Sequence, residues 1–180
     1  MTKIRRRTGL VGIFLALAIC AGGALAAPPS EDVNTGERVR KELVTLPYYG
    51  VFDNLSYEIS GGTVTLSGQV VRPTTRSDAA HRVARIKGVE RVVNNIEVLP
   101  LSRFDDSIRV RAYNSIFRTA SLYRYALGAN PSVHIIVNNG RITLEGVVDN
   151  ESDSHLAYLA ANGVSGAFSV TNNLRVKGNS

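Results

Sequence analysis

The 180 residues hold 21 lysines and arginines against 15 acids, and a single cysteine, Cys20. Four of the cations, Lys3, Arg5, Arg6 and Arg7, lie in the first seven residues, so the formal +6 becomes 17 − 15 = +2 beyond them. That balance excludes a general nucleic-acid binder, which needs a basic domain, and a chain without cysteine after position 20 can build neither disulfides nor thiolate metal sites.

The basic start, the apolar run from Leu10 to Ala21 and the small residues around Leu25 predict a secretory signal peptide over residues 1–26, cut after Ala26. The run is too short and too glycine-rich near its end for a retained anchor. Ile19 stands where lipidation of Cys20 would need a small residue, so a lipoprotein is not expected. Residues 27–33, with paired prolines and acids, read as a flexible lead-in.

The rest of the chain is one unit written twice. Gly62-Thr63-Val64-Thr65-Leu66-Ser67-Gly68-Gln69-Val70 returns 78 positions later as Gly140-Arg141-Ile142-Thr143-Leu144-Glu145-Gly146-Val147-Val148. The same ungapped offset carries Val92, Asn94, Asn95 and Val98 onto Val170, Asn172, Asn173 and Val176. A duplicated small domain follows.

A first helix is predicted from Asn34, with Glu37 three residues on, until Pro47 stops it. Its counterpart starts near Ser102 with Asp105 in the first turn, and Ile108, Val110, Ile116, Phe117 and Leu122 supply its apolar side. Matching Arg38-Val39-Arg40 to Arg109-Val110-Arg111 gives an offset of 71, hence 78 − 71 = 7 extra residues before the next strand. Leu55, Tyr57 and Ile59 alternate with polar residues, as do Val64, Leu66 and Val70, and Val133, Ile135 and Val137 precede Ile142, Leu144 and Val148 likewise. Gly61-Gly62 and Asn139-Gly140 between them are hairpin-turn residues, because both central positions take positive φ. Gly68 and Gly146 fall on the inward parity, where a helix packed across the sheet would need a missing side chain.

Thr75-Arg76-Ser77-Asp78 reads as a capping box opening a second helix with Ala79, Ala80, Val83, Ala84 and Ile86 on its inner face, ending at Gly88. Asp153 stands at the place of Thr75, and Leu156, Leu159 and Ala160 give the matching face before Gly163. Last strands run from Val92 to Val98 and from Val170 to Val176, with Asn94 and Asn172 on the apolar parity, where a bulge or a backbone-bonded amide accounts for them. The fold class is therefore α+β: two tandem α-β-β-α-β units over 34–100 and 101–177, each a three-stranded sheet with two helices on one face. Units this small, without disulfide or metal, are expected to pack on each other.

The pattern of amphipathic helix, a strand ending in Gly, Val/Ile-Thr-Leu-x-Gly-x-Val, a helix, then Gly-Val-x-x-Val-x-Asn-x-Ile resembles the BON domain of bacterial envelope proteins, here over Gly62 to Val70 and Gly88 to Ile96. The second copy keeps Gly140 to Val148 and departs at Gly166-Ala167-Phe168. The resemblance, to the two-copy OsmY-like periplasmic arrangement, implies a non-enzymatic protein that binds phospholipid surfaces in envelope maintenance or osmotic stress.

The residues themselves offer little chemistry. His81, His134 and His155 are never at metal-ligand spacing, neighbours within Ser152-Asp153-Ser154-His155 cannot form a triad, and no phosphate loop or dinucleotide fingerprint occurs, so no cofactor, metal or small-molecule substrate is expected. Binding surfaces are the better candidates. Arg109, Arg111, Arg118, Tyr123, Arg124 and Tyr125 combine cations with amphipathic aromatics in the second copy, which suits an anionic phospholipid surface. Arg82, Arg85 and Lys87, beside His81, form a secondary basic patch in the first. Residues 100–180 carry eight basic and six acidic residues while 27–99 carry nine of each, which favours the second copy. The alternative is a protein-interaction or holdase-like module that binds envelope proteins through an open strand edge or the longer loop from Arg118 to Asn130.

Overall fold

The computed structural model describes residues 31–128 and 130–178, so the expected signal peptide over 1–26 and the start of the expected lead-in lie outside the described residues. The first unit runs α1 (Glu31–Val44), β1 (Asn54–Ser60), β2 (Thr63–Val70), α2 (Pro73–Val83) and β3 (Arg91–Val98). The second repeats it as α3 (Arg103–Phe117), β4 (Val133–Asn138), β5 (Arg141–Val148), α4 (Glu151–Asn162) and β6 (Ser169–Val176), with an added 3-10 turn over Tyr123–Ala126. The fold is α+β, two repeats of α-β-β-α-β. In each sheet the hairpin pair is antiparallel and the third strand joins parallel to the second, in the orders β1-β2-β3 and β4-β5-β6. That parallel partner is reached over α2 or α4, as a parallel pair requires a crossover.

Strand alternation decides what each core contains. Val64, Leu66 and Val70 turn inward against Val39 and Leu43 of α1 and Ala79 and Val83 of α2. Ile142, Leu144 and Val148 do the same against Ile108, Ala112 and Ile116 of α3 and Ala157 and Ala161 of α4. Gly61 (φ 50°) and Gly62 (φ 76°) repeat as Asn139 (φ 51°) and Gly140 (φ 73°), the pair of positive angles that a two-residue hairpin turn needs. In the second unit the turn is also held from below. The buried carboxylate of Asp105 accepts from Asn139 N at 3.0 Å and Gly140 N at 2.8 Å.

Several expectations are corrected. α1 begins at Glu31, three residues before Asn34, so the lead-in ends earlier. α2 begins at Pro73 rather than at a Thr75 cap: proline suits the first helical position, where no N–H is needed, and Thr75 is buried inside the helix. In α4 the cap is Asn150, whose side chain accepts from Asp153 N at 2.9 Å, while Asp153 accepts from Asn150 Nδ2 at 3.0 Å. The inner face of α4 is Asp153, Ala157 and Ala161; Leu156 and Leu159 point out, at 39% and 51% exposure. Gly68 and Gly146 are required by the neighbouring strand and not by a helix. A Cβ there would lie 2.1 Å from the carbonyl oxygen of Asn54 or Ser132, at φ 115° and 118°. The two asparagines do behave as backbone-bonded amides: Asn94 Nδ2 donates to Arg76 O at 3.0 Å and Asn172 Nδ2 to Ser154 O at 3.3 Å.

The register between α1 and α3 also changes. Val39 is fully buried and Val110 is 56% exposed, so the two are not equivalent. Val39 and Leu43 bury as Ala112 and Ile116 do, and Glu42 faces Arg82 as Ser115 faces Ala160. The offset is therefore 73, which leaves 78 − 73 = 5 extra residues in the second unit's loop rather than seven.

The units meet through the loop between α1 and β1. Val51 O accepts from Ile135 N at 2.7 Å, the His134 ring Nδ1 lies 3.3 Å from Gly50 O, and Tyr49 stacks on His134 at 5.6 Å. Phe52 meets Tyr113 edge-on at 6.3 Å, and Val51 and Phe52 pack against the second core. As a result β4 is buried from Val133 through Val137, even at His134 and Ile136, which face away from its helices. The outer edge of β1 has no such cover and simply alternates.

This joint contains titratable groups. His134 faces Asp53, Glu145 across the hairpin and the Tyr49 phenol, and burial holds its pKa below 6.5. Well above pH 6.5 the ring is neutral whether the chain is folded or not. Below it the unfolded chain takes up a proton that the folded joint resists, so stability falls with pH. Asp53 acts oppositely at lower pH, because burial raises its pKa although it accepts from Gly50 N and Val71 N. The thermal midpoint is expected to decline as pH drops below 6.5 and to decline less in His134→Gln. Equal slopes in the two proteins would place the titration elsewhere.

Candidate functional site

The six residues expected to meet lipid do not form one surface. Arg109 is 3% exposed; its Nη2 donates to Val137 O at 2.7 Å and its Nη1 pairs with Asp106 at 2.5 Å. It is a strut between α3 and β4. Tyr125 is also buried, donating to Asp153 Oδ2 at 2.5 Å and accepting from Asp149 N at 2.9 Å. Arg124 lies over the Tyr125 ring and is claimed by two acids, Asp149 at 3.2 Å and Asp153. Arg111 is exposed, but its Nε is tied to Ser165 O at 3.0 Å and its Nη2 to Ser107 Oγ at 3.2 Å. Only Arg118, at the end of α3, and Tyr123, 57% exposed, stand free at the surface. Residue type alone could not show that Asp106 and an Asp149–Asp153 pair would take up these cations.

What the second unit does expose is apolar. Phe104 at 47% and Phe168 at 74% exposure sit 5.9 Å apart over the glycine backbone of Gly140 and Gly166. Val110 lies further along α3, and Leu156 and Leu159 lie on α4, which packs beside it. Exposed Arg103, Arg111 and Arg141 border the two phenylalanines in sequence or contact. The duplication shows that the fold does not need these side chains. At the offset of 78, Phe168 answers to Glu90, Leu156 to Asp78 and Leu159 to His81; at the helix offset of 73, Val110 answers to Glu37 and Phe104 to Glu31. Glu90 lies over Gly62 as Phe168 lies over Gly140. The signal that could have found the site was therefore the difference between the copies, once the helices were in register.

A family model, the BON domain, matches residues 31–100 and again 119–178. The chain belongs to the BON domain family. The second match begins past α3, the element in which the two copies diverge most. BON domains are generally non-catalytic, envelope-type modules, and this chain carries two in tandem. Comparison with curated proteins gives no match. Among solved structures, the chain is similar to CdsD, a structural protein of the type III secretion system of Chlamydia trachomatis, at 10% identity and a TM-score of 0.30, covering 78% of this chain and 91% of that one. The C-terminal domain of CdsD gives 12% identity and a TM-score of 0.28, with 78% and 96% covered. Among the described residues, no helix of the BON pair is long and apolar enough to cross a membrane.

His81 and His155 stand exposed on α2 and α4 and His134 in the joint, and no three potential metal ligands come together among the described residues.

Proposed function

We propose that this BON protein acts in the periplasm and docks reversibly, without chemistry, on anionic phospholipid bilayers through the exposed side of α3 and α4. The observation that carries the reading is the set of five exposed apolar residues in the second copy whose equivalents in the first are charged or polar. Exposed phenylalanines rimmed by arginine suit the interface of a bilayer. The aromatic rings sit at the headgroup level, and each nearby cation contributes about 1 kcal/mol towards an anionic surface. Insertion of the two rings adds about 1.5–3 kcal/mol each if burial is complete. Such a surface would mark or stabilise a membrane region in envelope maintenance.

The test is sedimentation of the two-domain protein with vesicles of phosphatidylglycerol or phosphatidylcholine over a salt series. Phe104→Glu with Phe168→Glu gives the second copy the acids of the first, so the fold is expected to survive. Binding to phosphatidylglycerol vesicles is expected to weaken at least about tenfold, a loss of about 1.4 kcal/mol. Arg118→Glu should weaken it less, and mainly at low salt. Undiminished binding by the double variant would remove the surface from consideration.

A further inference from the structure

The first copy diverges in the opposite sense. Arg38 of α1 and Arg82, Arg85 and Lys87 of α2 and its following turn line a groove of about 500 Å³ between the helices, with Glu42 and Ile86. A second cleft of about 380 Å³ adjoins it and shares Arg38 and Lys87. The expected basic patch is thus assembled, and α1 adds a fourth cation to it. Arg82 is paired with Glu42 at 3.5 Å and also reaches Thr45 O at 3.4 Å. Among the described residues no acid pairs with Arg38, Arg85 or Lys87.

In the second copy the same positions lack this cluster. Arg82, Arg85 and Lys87 answer there to Ala160, Gly163 and Ser165, and Arg38 to Arg111. Ser115 Oγ donates to Ala160 O at 2.7 Å and Arg111 Nε to Ser165 O at 3.0 Å, so α3 is bound directly to α4 and its neighbouring turn. A helix pair joined through small residues and one arginine in one copy, and lined by four cations in the other, is not explained by folding. Mutual repulsion among four cations is a cost that a bound anion removes.

We infer that this groove binds a phosphomonoester. Four cations against one acid leave a local +3, which a ligand of about −1.5 to −2 charge fits better than a singly charged diester. Arginine forks from two elements can grip two phosphate oxygens each, and Lys87 adds a point charge. The site is independent of the apolar surface on the other unit. A soluble phosphomonoester and a phosphomonoester lipid headgroup present the same group, so the experiment separates them.

The two-domain protein is titrated with glycerol phosphate while the backbone amide signals of Arg85, Lys87 and Gly88 are followed by NMR. Saturable shifts are expected there, weakened at least about tenfold in Arg85→Gly with Lys87→Ser. Those substitutions import residues that the second copy already folds with. Sedimentation with phosphatidic acid vesicles, using Phe104→Glu with Phe168→Glu to remove the other surface, then reads the source. Retention that depends on Arg85 and Lys87 supports a headgroup, and solution shifts without retention support a free phosphomonoester. Neither shifts nor groove-dependent retention, or equal response in the variant, would overturn the assignment.

Discussion

Gly146→Ala is expected to unfold the second unit at ordinary temperature, and Gly68→Ala the first. Each glycine holds a φ near 115° within a strand, a conformation that costs an L-residue about 1–3 kcal/mol. Strain is the smaller part of the effect. The new methyl would stand 2.1 Å from a backbone carbonyl, Ser132 O for Gly146 and Asn54 O for Gly68, and backbone in a paired strand cannot move aside as a side-chain tip can. Relief requires breaking the β4–β5 or β1–β2 ladder at its end. Losses beyond about 4 kcal/mol are exceptional for one substitution, and a domain of this size has about 5–15 kcal/mol in total. Urea unfolding followed by circular dichroism gives the check. A midpoint within a few tenths molar of the parent would mean that the strand end yields freely.

Asp105→Ala is expected to cost about 3 kcal/mol, because it leaves two buried turn donors without an acceptor and removes charge-assisted bonds worth about 1.5–3 kcal/mol each before compensation. The carboxylate is 1% exposed and reaches both Asn139 N and Gly140 N. Asp105→Asn keeps one acceptor oxygen and should lose less. Hydrogen exchange at those two amides distinguishes a local from a global effect: both should lose protection in the alanine variant while the core of β5 keeps it. If the alanine variant melted with the parent, the turn would have to be self-sufficient.

The fold was legible because hairpin turns and strand alternation are local signals, and the ungapped offset of 78 tied two readings of them together. Pro73, the Asn150 cap and the outward turn of Leu156 and Leu159 were less legible, since small-residue helices such as α4 carry alanines that fit either face. The binding surface was the least legible. Arg109, Arg124 and Tyr125 look like surface residues by type, and only tertiary contact shows them consumed by Val137 O, Asp149 and Asp153. Phe104 and Phe168 look like core residues by type and lie outside it. Helix register was the missing step: an offset of 71 aligned Val39 with Val110 and hid the contrast that 73 reveals.

The loop of the first unit rests on β4 of the second, so the two faces of the joint are different surfaces. Contacts of this heterologous kind have no symmetry that closes them, and repeated copies joined so would extend as a filament. The corresponding loop of the second unit is instead held against its own helix. Tyr125 in its 3-10 turn is anchored to Asp153 of its own α4, and Ser132 N donates back to Tyr125 O at 3.1 Å. The longer loop is thus committed within its own unit. Removing that anchor with Tyr125→Phe would loosen it and give each molecule a free end on which a neighbour could polymerise.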